Sequence, residues 1–213
     1  MHKLHWQTVT PQLKEILLVL MQASIFDKFR LVGGTALSLQ IGHRLSIDID
    51  LFTDSDYGSI NFNQIEDFLK HTFSYVDTIE QIPIAFGKSF YIGNNKDYTV
   101  KLDLYYTDNF IQEPLEIQGV RMASIEEIIA MKIDVIQRKG RKKDFWDLHE
   151  LITTYSVTKI LSLHKKRYPY THEKTVILHN IKNCSTVDND FDPICLKNKV
   201  WQFVKMDLID FIK

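Results

Sequence analysis

The chain has 213 residues, of which 45% are hydrophobic and 25% are charged, and its formal net charge is −1. This composition is ordinary for a globular protein and supplies enough apolar material for a sizeable core. No apolar run approaches the length of a membrane span, and the first six residues lack the apolar core of a signal peptide. We therefore expect a cytoplasmic protein that does not contact a membrane.

The first elements predicted along the chain are a helix, a strand and a second helix. Pro11–Ser24 has apolar residues at helical spacing, and Thr10 is suited to cap the helix. Phe29–Val32 predicts a strand, and Thr35–Ile41 predicts a short helix. Two glycines separate the strand from the second helix, so the sequence predicts a glycine turn at this point.

That turn consists of Gly33, Gly34 and Thr35. Glycine lets the backbone approach a phosphate closely, and the N-terminus of a helix directs N–H groups at an anion. The Thr35 hydroxyl adds a further polar group. The turn is therefore a candidate phosphate-binding site, although turns also use paired glycines for purely conformational reasons.

Two aspartates lie on one face of the next predicted strand, Ser46–Phe52. Side chains alternate across a strand, so Asp48 and Asp50 project together and the apolar residues between them project into the core. Two ionised carboxylates this close repel each other unless a cation lies between them, and Mg2+ prefers carboxylate oxygens. The alternative is an exposed strand face that happens to carry two aspartates, although aspartate is depleted in strands.

The elements that follow predict more strands and then a helical region. The next predicted elements are a helix at Ile60–Thr72 and strands at Ser74–Ile79, Ala85–Ile92, Tyr98–Tyr106 and Ile117–Val120. The predicted helices beyond them are one that begins at the capping residue Ser124 and four at Lys143–Tyr155, Thr158–Lys166, His172–Ile181 and Leu196–Ile212. We therefore expect an α/β domain at residues 1–118 and a helical domain at residues 119–213 that completes the active site.

Asp103 is a third candidate carboxylate, at the centre of the strand Tyr98–Tyr106. It can close a triad with Asp48 and Asp50 if the two strands are neighbours. The alternative is a solvent-facing strand residue like Lys101 on the same face. A phosphate-binding turn, a chelating pair and a third carboxylate together indicate two-metal phosphoryl chemistry, with Asp103 as a base or a ligand.

These residues resemble a known family. Gly33–Leu37 followed by Arg44–Phe52 resembles the first motif of nucleotidyltransferases of the DNA polymerase β type, and more narrowly of the AbiEii/AbiGii toxin family. Lys101–Leu104 resembles the second motif of that family, and residues 131–148 resemble the third. The resemblance implies an α+β fold, in which a nucleotidyltransferase-type mixed β-sheet flanked by helices is followed by an α-helical C-terminal half.

The resemblance also implies a function and a set of site residues. It implies nucleotide transfer from an NTP, dependence on Mg2+ or Mn2+, a tRNA or other RNA acceptor, and a cognate antitoxin. It implies that Asp48, Asp50 and Asp103 bind the metal and that Lys132 joins them in catalysis. The residues implied to contact the nucleotide are Gly33, Gly34, Thr35, Arg44, Ser46, Lys132, Arg138, Asp144 and Asp147.

The third motif also has a physical interpretation. Lys132 and Arg138 lie on one predicted helix and can reach triphosphate oxygens, while Asp147 can orient either of them. The alternative is a structural salt bridge between two packed helices, and Asp144 is equally suited to an N-terminal helix charge. The family has an arginine where this chain has Lys143, which leaves the phosphate-contacting cation open.

Several functions compete at this point. Residues 132–174 contain eleven lysines and arginines against five aspartates and glutamates, and Lys165–Arg167 lies beside Tyr168 and Tyr170, which favours an RNA acceptor. The same transfer chemistry on a protein or a small molecule is the first alternative. A metal-dependent nuclease is the second and leaves the glycine turn unexplained. A non-catalytic NTP-binding module is the third.

Overall fold

Seven strands pair into one mixed β-sheet in the computed structural model, which describes residues 3–79 and 86–213. The strands are β1 Arg30–Leu31, β2 Asp48–Thr53, β3 Tyr75–Ile79, β4 Gly87–Asn95, β5 Tyr98–Tyr106, β6 Leu115–Ile117 and β7 Val120–Met122. Their spatial order is β3-β4-β5-β2-β1-β7-β6. The pairs β2–β5 and β1–β7 are parallel and the other pairs are antiparallel, which confirms the predicted mixed sheet.

Eight α-helices occur in the described residues. They are α1 Pro11–Gln22, α2 Gly33–Ile41, α3 Phe62–Thr72, α4 Ile125–Gln137, α5 Lys142–Leu151, α6 Val157–Arg167, α7 Lys174–Lys182 and α8 Trp201–Phe211. Two predicted caps are confirmed, because the Thr10 hydroxyl accepts from Leu13 N at 3.1 Å and the Ser124 hydroxyl accepts from Glu127 N at 3.2 Å. None of the helices found in these residues is long and apolar enough to cross a membrane.

In the two central strands, β2 and β5, apolar and acidic side chains alternate between the two faces, as the sequence predicts. In β2 and β5 the core-facing residues Ile49, Leu51, Leu102 and Leu104 are fully buried. In the parallel register of these strands Asp50 lies directly opposite Asp103. Adjacent strands are about 4.8 Å apart, so the predicted neighbourhood of the two aspartates is confirmed.

The predicted single strand Ile117–Val120 is wrong. Gln118 and Gly119 both have positive φ, at 52° and 79°, and form a tight turn between β6 and β7. Two consecutive residues with positive φ match the twist of an antiparallel hairpin, which explains the glycine at this position. Of the predicted strand Ala85–Ile92, Ala85 lies outside the described residues, and β4 continues to Asn95.

The helical half packs through α4 and α5 against α2, and α2 packs against β2 of the sheet. The buried apolar side chains of both halves form one continuous core cluster. The predicted division at residues 118 and 119 falls in the turn between β6 and β7, two strands of the same sheet. A division of this chain into two domains stays a prediction.

The last helix begins at Trp201, later than the predicted Leu196. The segment before it forms an antiparallel bridge between Cys195 and Arg44. Leu45 N donates to Ile194 O and Leu196 N donates to His43 O, both at 2.9 Å. Because these backbone groups are used in the bridge, residues 194–196 are extended instead of helical. They pair with the backbone of the segment that carries Arg44.

Candidate active site

A cleft of about 1300 Å³ separates the carboxylate face of β2 from the helical half. Its floor holds Asp48 and Asp50, and one end is closed by the N-terminus of α2. The opposite wall comes from α4, the start of α5 and residues 166–171. The cleft therefore brings the predicted carboxylates and the predicted basic region to face each other.

Asp50 lies at the centre of this cleft. Burial, and then the negative charges of Asp103 and Asp48, raises the pKa of the Asp50 carboxyl from 3.8 to about 6. The cations nearby, Lys132 and Lys143, lower it by less. A carboxylate with a raised pKa lies where negative charge is only partly compensated, which is the environment that a bound cation relieves.

Asp103 is held by two neighbouring side chains. Ser89 Oγ, directly across from it on β4, donates to one carboxylate oxygen at 2.6 Å, and Lys101 Nζ donates to the other at 2.6 Å. The Ser89 hydroxyl is also 2.9 Å from the hydroxyl of Tyr105. Lys101 is therefore a partner of Asp103 and not the purely solvent-facing residue of the alternative interpretation.

The carboxylates fit a divalent cation as a pair. Asp48 and Asp50 share one face of β2 and offer hard oxygen ligands, and burial, followed by the charges of Asp103 and Asp48, raises the pKa of the Asp50 carboxyl. Among residues 3–79 and 86–213, no three His, Cys, Asp or Glu side chains are grouped closely enough to hold a metal ion. This agrees with the orientation of Asp103, whose oxygens face Lys101 and Ser89.

The glycine turn lies against these carboxylates. Gly33 is the first residue of α2 and has φ +66°, and a Cβ at this position would lie 2.6 Å from Asp50 Oδ2. A Cβ on Gly34 would overlap the guanidinium of Arg44. Both glycines are therefore required by the close approach of the helix N-terminus to charged side chains, as well as by the φ of Gly33.

Thr35 lies behind the cleft floor and contacts Ser46, which lines the cleft. The Thr35 hydroxyl is fully buried, donates to the backbone oxygen of Asp48 at 2.5 Å and lies 2.8 Å from Ser46 Oγ. These contacts tie α2 to the start of β2. In this structure Thr35 presents its hydroxyl to the strand that carries the aspartates, and Ser46 lines the cleft.

A buried ionic network joins the helical half to the segment before β2. Asp147, fully buried on α5, accepts from Arg44 Nε at 2.6 Å, from Arg44 Nη2 at 2.8 Å and from His43 Nε2 at 2.7 Å. Lys132 Nζ is 2.7 Å from both Asp147 Oδ2 and Asp144 Oδ1. Burial raises the pKa of Asp147, but Lys132 and Arg44 outweigh burial and leave this pKa well below its usual range.

Arg44, Lys132, Arg138 and Lys143 all line the cleft but differ in their burial and in their partners. Lys132 is buried and ion-paired to two aspartates, and Asp147 orients Lys132 and Arg44. Arg138, the other predicted cation, pairs with Asp134 and is largely exposed. Lys143 lines the cleft with its Nζ 3.9 Å from Asp48 Oδ2, and burial, followed by the charge of Arg141, lowers its pKa.

Several residues near the site were not predicted from the sequence. Ser89 and His43 carry no motif, and their roles depend on the register of β4 and β5 and on helix packing. Lys143 had a signal, because it stands where the family has an arginine. All three contact one of the predicted aspartates.

The predicted RNA-binding role of Arg167 is contradicted by its burial. Its guanidinium donates to Glu127, to the Thr107 hydroxyl at 2.8 Å and to the backbone oxygens of Asn109 and Asp108. It therefore stabilises the contact between α4, α6 and the loop after β5. Lys166 and Tyr170 beside it remain exposed on the cleft wall.

Comparisons with known proteins agree with this geometry. Residues 15–211 match the sequence profile of a family described as the nucleotidyl transferase AbiEii toxin of type IV toxin–antitoxin systems. An uncharacterized protein of Aquifex aeolicus (strain VF5) is 28% identical over 163 residues, which is 73% of each chain.

Two solved structures share the fold. The protein JHP933 of Helicobacter pylori is 20% identical with a TM-score of 0.62, over 93% of this chain and 88% of that one. The nucleotidyltransferase toxin MenT4 of Mycobacterium tuberculosis H37Rv is 11% identical with a TM-score of 0.62, over 94% of this chain and 80% of that one.

Proposed function

This chain belongs to the AbiEii nucleotidyl transferase toxin family, and from that premise we propose that it transfers a nucleoside monophosphate from an NTP to a hydroxyl group of an RNA such as tRNA. It is a nucleotidyltransferase enzyme and a toxin by family. The observation that carries the proposal is the pair Asp48 and Asp50, which lies between the N-terminus of α2 and the basic helical wall.

The metal belongs to this proposal. Asp48 and Asp50 would hold a Mg2+ or Mn2+ ion, and the bound ion would neutralise phosphate charge and lower the pKa of an attacking hydroxyl. Asp103 lies opposite Asp50, where it can accept a proton once Lys101 releases it. Ser89 would hold the Asp103 carboxylate beside Asp50.

The phosphates of the NTP would lie against the end of α2. The first N–H groups of a helix have no acceptor within the helix, and Gly33 and Gly34 at this terminus line the cleft, so an anion there could approach the backbone. Lys143 and Arg141 would supply positive charge from the opposite wall. The pair of Arg44 with Asp147 would fix the distance between the two walls, and the pair of Lys132 with Asp144 would join α4 and α5 within the helical wall.

The size of the cleft supports a large acceptor. Pockets for single small molecules measure about 300–1,000 Å³, whereas this cleft holds about 1300 Å³. The exposed cations Arg138 and Lys166 line the helical side of the cleft, where they would attract a polyanion. A cognate antitoxin is part of the proposal through the toxin–antitoxin type of the family.

A label-transfer assay tests this proposal. The protein would be incubated with each radiolabelled NTP, Mg2+ or Mn2+, and total tRNA, beside Asp48→Ala and, as a matched control, Asp97→Ala on the exposed β4–β5 turn. We expect label in tRNA with the wild type and Asp97→Ala, and at least a hundredfold less with Asp48→Ala or with EDTA.

Two results would contradict the proposal that RNA is the acceptor. The first is no transfer by the wild type, or equal transfer by Asp48→Ala. The second is label that survives ribonuclease and is removed by protease, which would make a protein the acceptor.

A further inference from the structure

A cluster of aromatic side chains lies on the cleft wall at the C-terminal ends of β2 and β5. The ring centroids of Tyr57 and Phe86 are 5.9 Å apart, and those of Tyr57 and Tyr106 are 5.4 Å apart. Tyr57 is 66% exposed and Phe86 is 68% exposed. All three side chains line the cleft that contains Asp48 and Asp50. We call Tyr57, Phe86 and Tyr106 the aromatic wall.

The aromatic wall is held in place by the backbone around it. The Tyr106 hydroxyl accepts from Ile60 N at 2.7 Å, which fixes the turn that carries Tyr57. Tyr106 N donates to Phe86 O at 2.7 Å, which fixes the position of Phe86 beside β5. Tyr106 also packs edge-on against Phe62 of α3. The rings are therefore positioned before any ligand binds, which lowers the entropic cost of stacking.

The charges around the aromatic wall select the kind of group that fits there. Asp56 precedes Tyr57 and Asp108 follows two residues after Tyr106, and both line the cleft. These carboxylates disfavour a phosphate on the rings themselves. Exposed cations, Arg138 and Lys166, lie in the same cleft on the helical side. The site thus offers flat apolar faces on one side and positive charge on the other, which matches an unpaired nucleotide with its backbone.

The distance along β2 places this site next to the chemistry. Thr53, which pairs with Tyr106, follows Asp50 by three residues. Strands rise about 3.3 Å per residue, so the aromatic wall lies roughly 10 Å from Asp50 along the strand. By strand alternation Thr53 and Tyr106 project from the opposite face of the sheet to Asp50, but Tyr106 lines the same cleft as Asp50, and so do residues 54–56 beyond the end of β2. A nucleotide whose hydroxyl lies at the carboxylates would therefore place its base near these rings by passing around the C-terminal end of β2.

We propose that the aromatic wall stacks the unpaired terminal base of the RNA whose hydroxyl receives the nucleotide. The proposal rests on the function proposed above and identifies the acceptor as an RNA end with an unpaired base. Base–aromatic stacking contributes affinity without reading sequence, because every base has a flat face. The aromatic wall would therefore select an unpaired end over a paired one.

Binding of a short RNA tests the proposal without requiring catalysis. The probe is an eight-nucleotide unpaired RNA with a 5′ fluorophore, compared with the same RNA lacking the base of its 3′-terminal nucleotide. Fluorescence anisotropy would give the Kd of each RNA for the wild type, Tyr57→Ala, Phe86→Ala and Tyr57→Phe. Tyr98→Ala is the matched control, since Tyr98 is 68% exposed on the same sheet and does not line the cleft.

We expect Tyr57→Ala and Phe86→Ala to weaken binding of the intact RNA roughly 5- to 150-fold, the range for loss of one base–aromatic stack. Removing the terminal base should weaken binding to the wild type, Tyr57→Phe and Tyr98→Ala, but should leave the two alanine variants unchanged. Affinity for NTP with Mg2+, measured by calorimetry, should be equal in all of these proteins.

The proposal is overturned if the alanine variants bind intact RNA as the wild type does. It is also overturned if they lose affinity for the NTP and keep it for RNA, because the rings would then stack the donor nucleotide, or if the wild type binds neither RNA. The label-transfer assay distinguishes failure of the stacking proposal from failure of the proposed function. Transfer to tRNA with an unchanged acceptor KM in Tyr57→Ala would keep the function and discard the aromatic wall.

Discussion

Asp50 is the residue at which the strand, the helix terminus and the other carboxylates meet. Its raised pKa comes first from burial and then from the charges of Asp103 and Asp48. A bound divalent ion would offset both causes. In the metal-free protein, the ionised Asp50 carboxylate at the proposed metal site therefore lowers the free energy of unfolding. This loss of stability can be measured.

The Asp50→Asn variant should remove a pH dependence from stability. The folded pKa of Asp50, about 6, lies above its unfolded value, so the folded state binds the proton more tightly. The stabilisation from protonation is present below the unfolded pKa of about 3.9 and is lost as pH rises through the folded pKa of about 6. We expect the wild type to lose about 1–3 kcal/mol relative to Asp50→Asn between pH 4 and pH 7, measured by urea unfolding in EDTA.

The exposed variant Asp97→Asn should follow the wild type in the same experiment, and Mg2+ at pH 7 should return most of the lost stability to the wild type. Parallel curves for the wild type and Asp50→Asn would show that Asp50 has no raised pKa.

Gly33→Ala should cost both stability and activity. The new Cβ would combine a positive φ with an approach of 2.6 Å to Asp50 Oδ2, so the helix N-terminus or the aspartate must move. Gly119→Ala is the matched control, because its φ is +79° and nothing lies within 4 Å of the added Cβ. We expect about 1–2 kcal/mol of destabilisation in both variants from φ alone. Only Gly33→Ala should lose label transfer, by at least tenfold, and equal activity of the two variants would contradict the close approach.

At the scale of elements, α4, α5 and the segment before β2 are joined by the buried charges of Lys132, Arg44 and Asp147. Asp147→Asn keeps the shape and removes the negative charge, which leaves buried cations undercompensated. We expect the free energy of unfolding to fall by about 3–5 kcal/mol, as is typical when one partner of a buried pair is removed. The control Asp210→Asn breaks an exposed pair with Lys213 and should cost less than about 0.5 kcal/mol. A loss below about 1 kcal/mol for Asp147→Asn in denaturant unfolding would show that the network is not a major source of stability.

Local patterns predicted the elements but not their contacts. Alternation of apolar and polar residues predicted β2 and β5, and capping residues predicted the starts of α1 and α4, because these signals lie within a few residues. The contact of Ser89 with Asp103 depends on the register of β4 against β5, which no residue near Ser89 encodes. The pairs of Lys132 with Asp144 and Asp147 depend on how α5 packs on α4, so the sequence could not show that this lysine, which lines the cleft, is also ion-paired; its contact with phosphate stays a prediction.

At the scale of the whole molecule, Glu127 and Arg167 of the helical half contact the loop after β5 in the α/β half. Glu127 on α4 is fully buried, accepts from Ile111 N and Gln112 N at 2.8 and 3.1 Å, and pairs with Arg167 of α6. This pair therefore fixes the loop after β5 against the helices, beside the cleft.

Arg167→Met should leave Glu127 buried without its cation and cost about 3–5 kcal/mol in urea unfolding. The double variant Glu127→Gln with Arg167→Met should cost less than the sum of the single variants by at least about 1 kcal/mol, because the glutamine needs no cation. Lys165→Met on the exposed face of α6 is the control and should change stability by less than about 0.5 kcal/mol. Additive costs in the double variant would contradict the direct coupling of the pair.

The bridge between Arg44 and Cys195 also has a consequence for the order in which the protein is made. At about 5–20 residues per second, a ribosome needs roughly 8–30 s to translate the roughly 150 residues between these two positions. During that interval the nascent chain already carries Asp48 and Asp50, but the segment that backs Arg44 has not yet been synthesised. The cleft wall at residues 166–171 is also made after Asp48 and Asp50, so the cleft of this toxin is complete only late in translation.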